Sequence, residues 1–377
     1  MKPVQSKPKA TPIYQTSVFS FEDLNELEAY FEAPANRYMY SRYGNPNSDE
    51  LAQEVAQLEK AQDAVVTSSG TSAILTSVLT FCRSGDHLLC SEEIYGGSAV
   101  LLQEELSRLG IEVTFVKKED TYSFEDYCTP QTKMFLTETM TNPLLTVHDI
   151  RRLARECHQA GLKLVIDNTF ATPVITTPLT LGADLVLHSV TKYLSGHSDV
   201  TAGVIAGSNQ VIKRVREIVI RYGLNLSPFD SWLASRGVKT LRLRMKQHSE
   251  NAMKIAETLS NHHKVKHVYY PGLRTHPDYT LAKQQGHDLF GGMLSFQIED
   301  DRDKVNTLFQ QLEHIVFAPS LAGVQTSISH PLSTSHRSID PEQCQKLNIT
   351  EGLIRLSVGI EEYDVLEQEL LHALNQL

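Results

Sequence analysis

Short apolar runs alternate with stretches of helical periodicity along most of this chain. The runs Ala64–Val66, His87–Cys90, Glu112–Val116, Lys133–Leu136, Lys163–Ile166, Asp184–Leu187 and Gly203–Ala206 have strand length and a high share of β-branched and aliphatic residues. Between them lie patterns such as Ile150 to Ala160, apolar at helical spacing and stopped by Gly161. Such alternation predicts an α/β fold, a mostly parallel sheet covered by helices. Past Arg236 the pattern changes. A long helical stretch through Met245 to Leu259 leads to strands at Val265–Tyr270, Met293–Ile298 and Leu353–Val358, then to a last helix with Asp364 as N-cap and Glu367 at N3. This predicts a smaller C-terminal α+β domain. Up to Asn47, aromatic residues and prolines follow no sustained period and read as an extended arm. The expected division is an arm over 1–47, an α/β domain over 48–236 and an α+β domain over 237–377.

Composition narrows the class. The 377 residues carry 35 basic and 45 acidic side chains, a net charge of −10 that argues against a general nucleic-acid binder. No apolar run approaches the roughly 20 residues that span a bilayer, and the start, Met1 to Lys9, has charge without an apolar core behind it, unlike a signal peptide. Five cysteines without a C-x-x-C pair read as free thiols in a reducing cytoplasm. The fifteen histidines show no ligand spacing, and no metal site is expected.

Chemistry concentrates at strand ends. Leu185-Val186-Leu187-His188 delivers Ser189, Thr191 and Lys192 straight off a buried strand. A lysine desolvated there has a depressed pKa and is a nucleophile suited to a Schiff base. Upstream, Leu164-Val165-Ile166 ends in Asp167. A lysine that carries an aldehyde as an imine and a carboxylate that keeps a pyridine nitrogen protonated are what pyridoxal 5′-phosphate (PLP) needs. By themselves the two residues read equally well as a strand-end ion pair. Ser69-Gly70-Thr71-Ser72 opens a helix after the run Ala64–Val66, and its backbone amides offer a phosphate site. In Tyr40-Ser41-Arg42-Tyr43 an arginine beside tyrosines suits bidentate phosphate contact.

With these residues in view, the chain resembles the Cys/Met-metabolism family of PLP enzymes, the trans-sulfuration group of fold type I. The matching blocks are Pro12 to Ser17, Tyr40 to Pro46, Ser68 to Ala73, Tyr95 to Gly97, Glu138 to Pro143, Asp167 to Phe170, His188 to Tyr193, Gly196 to Asp199, Ser320 to Gly323 and Leu353 to Gly359. The resemblance implies Lys192 as the imine lysine and acid–base, Asp167 on the pyridine nitrogen, and Tyr95 stacked on the ring. It implies Gly70, Thr71, Ser189 and Thr191 on the phosphate, with Tyr40 and Arg42 reaching the phosphate of a neighbouring subunit. The arm then has a purpose, and an obligate dimer paired into a homotetramer with shared sites is expected. Arg355 would clamp the α-carboxylate of a small amino-acid substrate, with Ser320 and Asn142 nearby.

Relatives that handle cystathionine often carry glutamates where this chain has Met39 and Gln325, and arginine near Ala99-Val100. A charged distal head there would lack partners, which costs more than about 1 kcal/mol. That implies a γ-eliminating carbon–sulfur lyase for methionine- or homocysteine-type substrates. The surroundings of Met39-Tyr40, Ser227-Pro228-Phe229 and Tyr269 to Leu273 resemble methionine-cleaving members, which usually have cysteine at Gly97. The stretch His330 to His336 is instead similar to sulfhydrylases, so γ-replacement on an O-acylhomoserine, or cleavage of cystathionine, stays an alternative. An aminotransferase would share Lys192 and Asp167 but has no use for the Tyr95 and Tyr40 blocks.

Overall fold

The computed structural model describes residues 6–32, 37–337 and 341–377. Residues 1–5 and 33–36 of the expected arm lie outside the described residues. Seven strands build the main sheet: β1 (Asp63–Thr67), β2 (His87–Ser91), β3 (Glu112–Val116), β4 (Thr132–Glu138), β5 (Lys163–Asp167), β6 (Leu185–Ser189) and β7 (Gly203–Gly207), in the order β1-β7-β6-β5-β4-β2-β3. Only β7 runs against its neighbours, pairing antiparallel with both β1 and β6. The remaining pairs are parallel. The α/β expectation therefore holds.

Both faces are buried along the central strands, which explains why these read as continuous apolar runs, whereas the partly exposed edge strand β3 alternates. In β6, Leu185 and Leu187 pack on one side with Ile74 and Val78 of the helix Gly70–Phe81 and Val215 and Val219 of the helix Asn209–Tyr222. Val186 packs on the other side with Leu51 and Val55 of the helix Pro46–Glu59 and Met245 and Ile255 of the helix Leu241–Ser260. The second sheet has five strands, β8 (His267–Tyr269), β9 (Met293–Gln297), β10 (Val316–Phe317), β11 (Ser327–Ser329) and β12 (Leu353–Ser357), ordered β10-β11-β12-β9-β8. No helix among the described residues is long and apolar enough to cross a membrane.

Several local expectations are corrected. The arm contains a helix, Leu24–Glu32, begun by Asp23 Oδ1 accepting from the Glu26 amide at 2.8 Å. None of its residues is buried, and its short stripe of Leu24, Leu27 and Phe31 is lost in the sequence among the aperiodic aromatic residues around it. The strand expected at Val265–Tyr270 shrinks to His267–Tyr269, and the short β10 and β11 were not anticipated. The last helix spans Tyr363–Asn375 with Glu362 at its N-cap, so Asp364 lies in the first turn instead of capping it. Glu367 does not reach back to a cap; it accepts from the hydroxyls of Tyr363 and Thr258. The limits drawn at 47 and 236 fall inside the helices Pro46–Glu59 and Pro228–Val238.

Candidate active site

The C-terminal ends of β4, β5 and β6 and the start of the helix Gly70–Phe81 open into one cavity of ≈610 Å³. Ligand sites of parallel sheets form at this edge. Gly70, Thr71, Tyr95, Asn142, Asp167, Ser189, Thr191, Lys192 and Arg355 all line it.

Each is held by its own segment. Lys192 follows β6 in a turn closed by its amide donating to Ser189 O at 3.1 Å, while Gly196 N donates to Lys192 O at 2.8 Å. Burial, aided by the charge of Arg355, lowers the Lys192 pKa from its ordinary value. Asp167 ends β5. Its Oδ1 accepts from the amide of Thr169 at 3.0 Å and from Thr169 Oγ1 at 2.5 Å. Among the described residues nothing donates to Oδ2. Burial raises the Asp167 pKa, with the Thr169 bonds and then the charge of His188 opposing the rise. Arg355, on β12, is buried and bound through Nη1 to Asn142 Oδ1 at 3.0 Å and through Nη2 to Ser320 O at 3.4 Å. Burial pulls its pKa down to about 10, so the guanidinium stays charged at neutral pH.

The helix Gly70–Phe81 is N-capped by Ser69, whose Oγ accepts from Ser72 N at 3.0 Å. The amides of Gly70 and Thr71 have no carbonyl behind them within the helix. Gly70 also packs against Ser189, where an added Cβ would stand 2.8 Å from Ser189 Cβ. Helix start and Ser189 hydroxyl thus share one corner. Thr191 is less open: its hydroxyl bonds the carbonyl of Ala202 at 3.2 Å and accepts from the Ala202 amide at 3.0 Å.

These residues fit PLP. An amide-rich helix start with a serine hydroxyl suits a phosphate, the open oxygen of a half-buried carboxylate suits a protonated pyridine nitrogen, and a desolvated lysine in the same cavity suits the aldehyde. Tyr95, 46% exposed, supplies an aromatic face on the cavity wall.

The other expected residues do not line the cavity of the single chain. Ser320 touches Arg355 through its carbonyl only. Gln325 is exposed and donates to His314 O at 3.2 Å. Met39, Tyr40 and Arg42 do not line the cavity. Arg42 stacks over the Tyr43 ring at 4.7 Å and donates to Ile220 O at 3.2 Å. The structure also adds residues to which the sequence reading gave no role. Glu138 lines the cavity and accepts from the Tyr95 amide at 2.9 Å. Its position at the end of β4, in register with Asp167, is the signal that could have found it. Met140, Phe170 and Leu321 supply apolar wall, and Ser333, Thr334, Ser335 and Arg337 come from a loop of the C-terminal region.

Known proteins resemble this chain in sequence and fold. Residues 2–375 match the family model described as Cys/Met metabolism PLP-dependent enzyme. The chain is 40% identical over 371 residues to an L-methionine gamma-lyase of Porphyromonas gingivalis, covering 98% of this chain and 93% of that one. It is 42% identical over 369 residues to a cystathionine gamma-lyase of Bacillus subtilis, covering 98% and 94%. The solved cystathionine gamma synthase of Xanthomonas oryzae pv. oryzae, in complex with aminoacrylate and cysteine, superposes with a TM-score of 0.92 at 36% identity, over 97% of this chain and 93% of that one. A lysine, an acid and an arginine converging on one sheet edge, together with a match over nearly the whole length, make this chain a member of the Cys/Met-metabolism family of PLP-dependent enzymes.

Proposed function

We propose that the enzyme is a carbon–sulfur lyase that γ-eliminates the sulfur substituent of methionine- and homocysteine-type amino acids. The observation that carries this reading is the shared cavity of Lys192 and Arg355, the second fixed by Asn142 and Ser320 and the first kept below the ordinary lysine range. Arg355 takes the α-carboxylate and so turns Cα toward Lys192. Met140, Phe170 and Leu321 give a thioether an apolar wall.

PLP, when bound, supplies the electron sink for charge that develops at Cα. Gly70, Thr71, Ser189 and Thr191 would hold its phosphate, Asp167 Oδ2 its pyridine nitrogen, and Tyr95 its ring face. Lys192 removes the proton from Cα and then, on its flexible stem, one from Cβ. Tyr95 hands a proton to the departing sulfur. For methionine the sum is one water consumed and 2-oxobutyrate, ammonia and methanethiol released.

The reading extends to the assembly. Tyr40 and Arg42, which leave the cavity of their own chain, serve the phosphate site of a neighbouring copy in a cytoplasmic homotetramer built as a dimer of dimers. The arm (1–47), PLP domain (48–236) and C-terminal domain (237–377) divide the work accordingly, and Met39 and Gln325, outside the cavity of their own chain, would serve the distal end of a site completed by the assembly. A second reading, γ-replacement on an O-acylhomoserine, is favoured by Ser333, Thr334 and Ser335 on the cavity wall, from the stretch similar to sulfhydrylases.

The test is turnover by the purified holoenzyme. Methionine or homocysteine alone should yield 2-oxobutyrate and ammonia. Product formation only from an O-acylhomoserine with added sulfide would replace elimination by replacement, and a keto acid retaining its sulfur would mean an aminotransferase.

A further inference from the structure

Three cationic side chains line the cavity: Lys192, Arg355 and Arg337. The proposed chemistry uses the first two and leaves Arg337 without a task. They differ in depth. Arg355 is 4% exposed, whereas Arg337 is exposed and therefore stands at the mouth.

The loop that carries Arg337 is anchored beside the α-carboxylate clamp. His336 is buried beside Asn142 and feels the charge of Arg355. The next three hydroxyls are committed locally: Ser333 Oγ to His330 Nδ1 at 2.8 Å, Thr334 Oγ1 to His330 O at 2.8 Å, and Ser335 Oγ to His336 Nδ1 at 2.9 Å. Arg337 differs. Among the described residues its guanidinium has neither a carboxylate partner nor a hydrogen bond.

The acids of the cavity complete the picture. Among the described residues only Glu138 and Asp167 line it, and they sit in register at the ends of β4 and β5, at the Tyr95 and pyridine side. Among the described residues of the single chain the mouth thus offers a cation and no carboxylate. A substrate held by Arg355 at its α-carboxylate points its far end outward. A carboxylate there would meet Arg337, and an ammonium would meet no partner.

We propose that Arg337 forms a distal-carboxylate subsite, so that the cavity favours γ-substituted α-amino acids whose substituent ends in a carboxylate with no amino group beside it. The inference rests on the γ-elimination chemistry of the proposed function and adds to its methionine-type substrates a second class, cleaved at Cγ–O. For an O-succinylhomoserine, γ-elimination breaks the Cγ–O bond, the succinate leaves with the bonding pair, and hydrolysis yields 2-oxobutyrate and ammonia with one water consumed.

The experiment compares kcat/KM for O-succinylhomoserine and O-acetylhomoserine, read as 2-oxobutyrate, in the wild-type holoenzyme, Arg337→Gln and Arg337→Lys. The ratio of the two should fall about tenfold or more in Arg337→Gln, the scale of one charge-assisted contact, and recover in part in Arg337→Lys. An unchanged ratio, or equal losses on both substrates, overturns the subsite. Absence of 2-oxobutyrate from every substrate, methionine included, would instead sink the proposed function. The subsite is then still read by absorbance titration of the holoenzyme with L-2-aminopimelate and L-2-aminoheptanoate, which share a chain length and differ in the far carboxylate. Arg337→Gln should weaken the first about tenfold relative to the second, and parallel changes overturn it.

Discussion

The ring of Tyr95 folds back over Gly97, where an added Cβ would stand 2.6 Å from Tyr95 Cε1 and 3.1 Å from Cζ. The place of the aromatic face in the cavity therefore depends on a missing side chain two residues on. Gly97 lies in the short helix Gly96–Val100, where alanine is intrinsically better than glycine by about 1 kcal/mol. Gly97→Ala should accordingly leave the melting temperature unchanged or higher, yet move the Tyr95 ring. We expect kcat/KM to fall about tenfold, the cost of losing roughly 1.4 kcal/mol of transition-state stabilisation. Unaltered kinetics with unaltered stability would show that the ring position does not matter.

That relationship was not legible in the sequence, whereas much else was. The central strands could be located because burial on both faces writes them as apolar runs, and Lys192 and Asp167 could be singled out because both come straight off such runs. Residues whose role depends on folding back were hidden. Glu138 was quoted only within a matching block, since nothing in one strand says that its neighbour ends in a second acid. Arg337 joins the cavity from a loop far along the chain, and no periodicity marks it. The helix Leu24–Glu32 is hidden by its length, since Leu24, Leu27 and Phe31 follow helical spacing for only two turns among aperiodic aromatic residues.

Lys192 should be the residue that carries PLP. Borohydride reduction and peptide mapping should place the pyridoxyl label there, and a label on another lysine removes the assignment. Lys192→Ala should lose at least about 10²–10⁴-fold in turnover, the usual worth of a positioned acid–base group. The pH dependence follows from the lowered pKa. Only the neutral amine attacks an aldehyde, so PLP uptake by the apoprotein should quicken as pH rises through a midpoint below the ordinary lysine value of 10.5. Because the charge of Arg355 contributes to the lowering, Arg355→Gln should move that midpoint upward. A midpoint that moves down, or stays, would contradict the electrostatic account.

Arg42 tests the shared site. In its own chain it donates to Ile220 O and stands outside the Lys192 cavity. If it serves a neighbour, Arg42→Ala should weaken PLP retention. Mixing Arg42→Ala with Lys192→Ala subunits under exchange should restore activity, since half of the interfacial sites in each hybrid dimer are then intact in both residues. Proven exchange without rescue would mean that each chain builds its site alone.

Glu138 should act as a neutral hydrogen-bond acceptor. It is 8% exposed, and burial, reinforced by the charge of Asp167 beside it, pushes its pKa well above the usual carboxylate range. The shift disfavours the charged carboxylate, and what the carboxyl offers the site is the oxygen that receives the Tyr95 amide at 2.9 Å. Glutamine keeps such an oxygen and adds no charge. Glu138→Gln should thus stay within about threefold of wild type with the acid limb of its kcat–pH profile unmoved, because less than about 1 kcal/mol changes when one satisfied acceptor replaces another. Glu138→Ala leaves the Tyr95 amide without its partner, a loss of about 1–3 kcal/mol that should cost roughly tenfold to a hundredfold in kcat/KM. The decisive measurement is the glutamine profile. Were Glu138 ionised in the working enzyme, removing its charge would make Asp167 easier to ionise and shift the acid limb to lower pH. Such a shift would refute the neutral assignment.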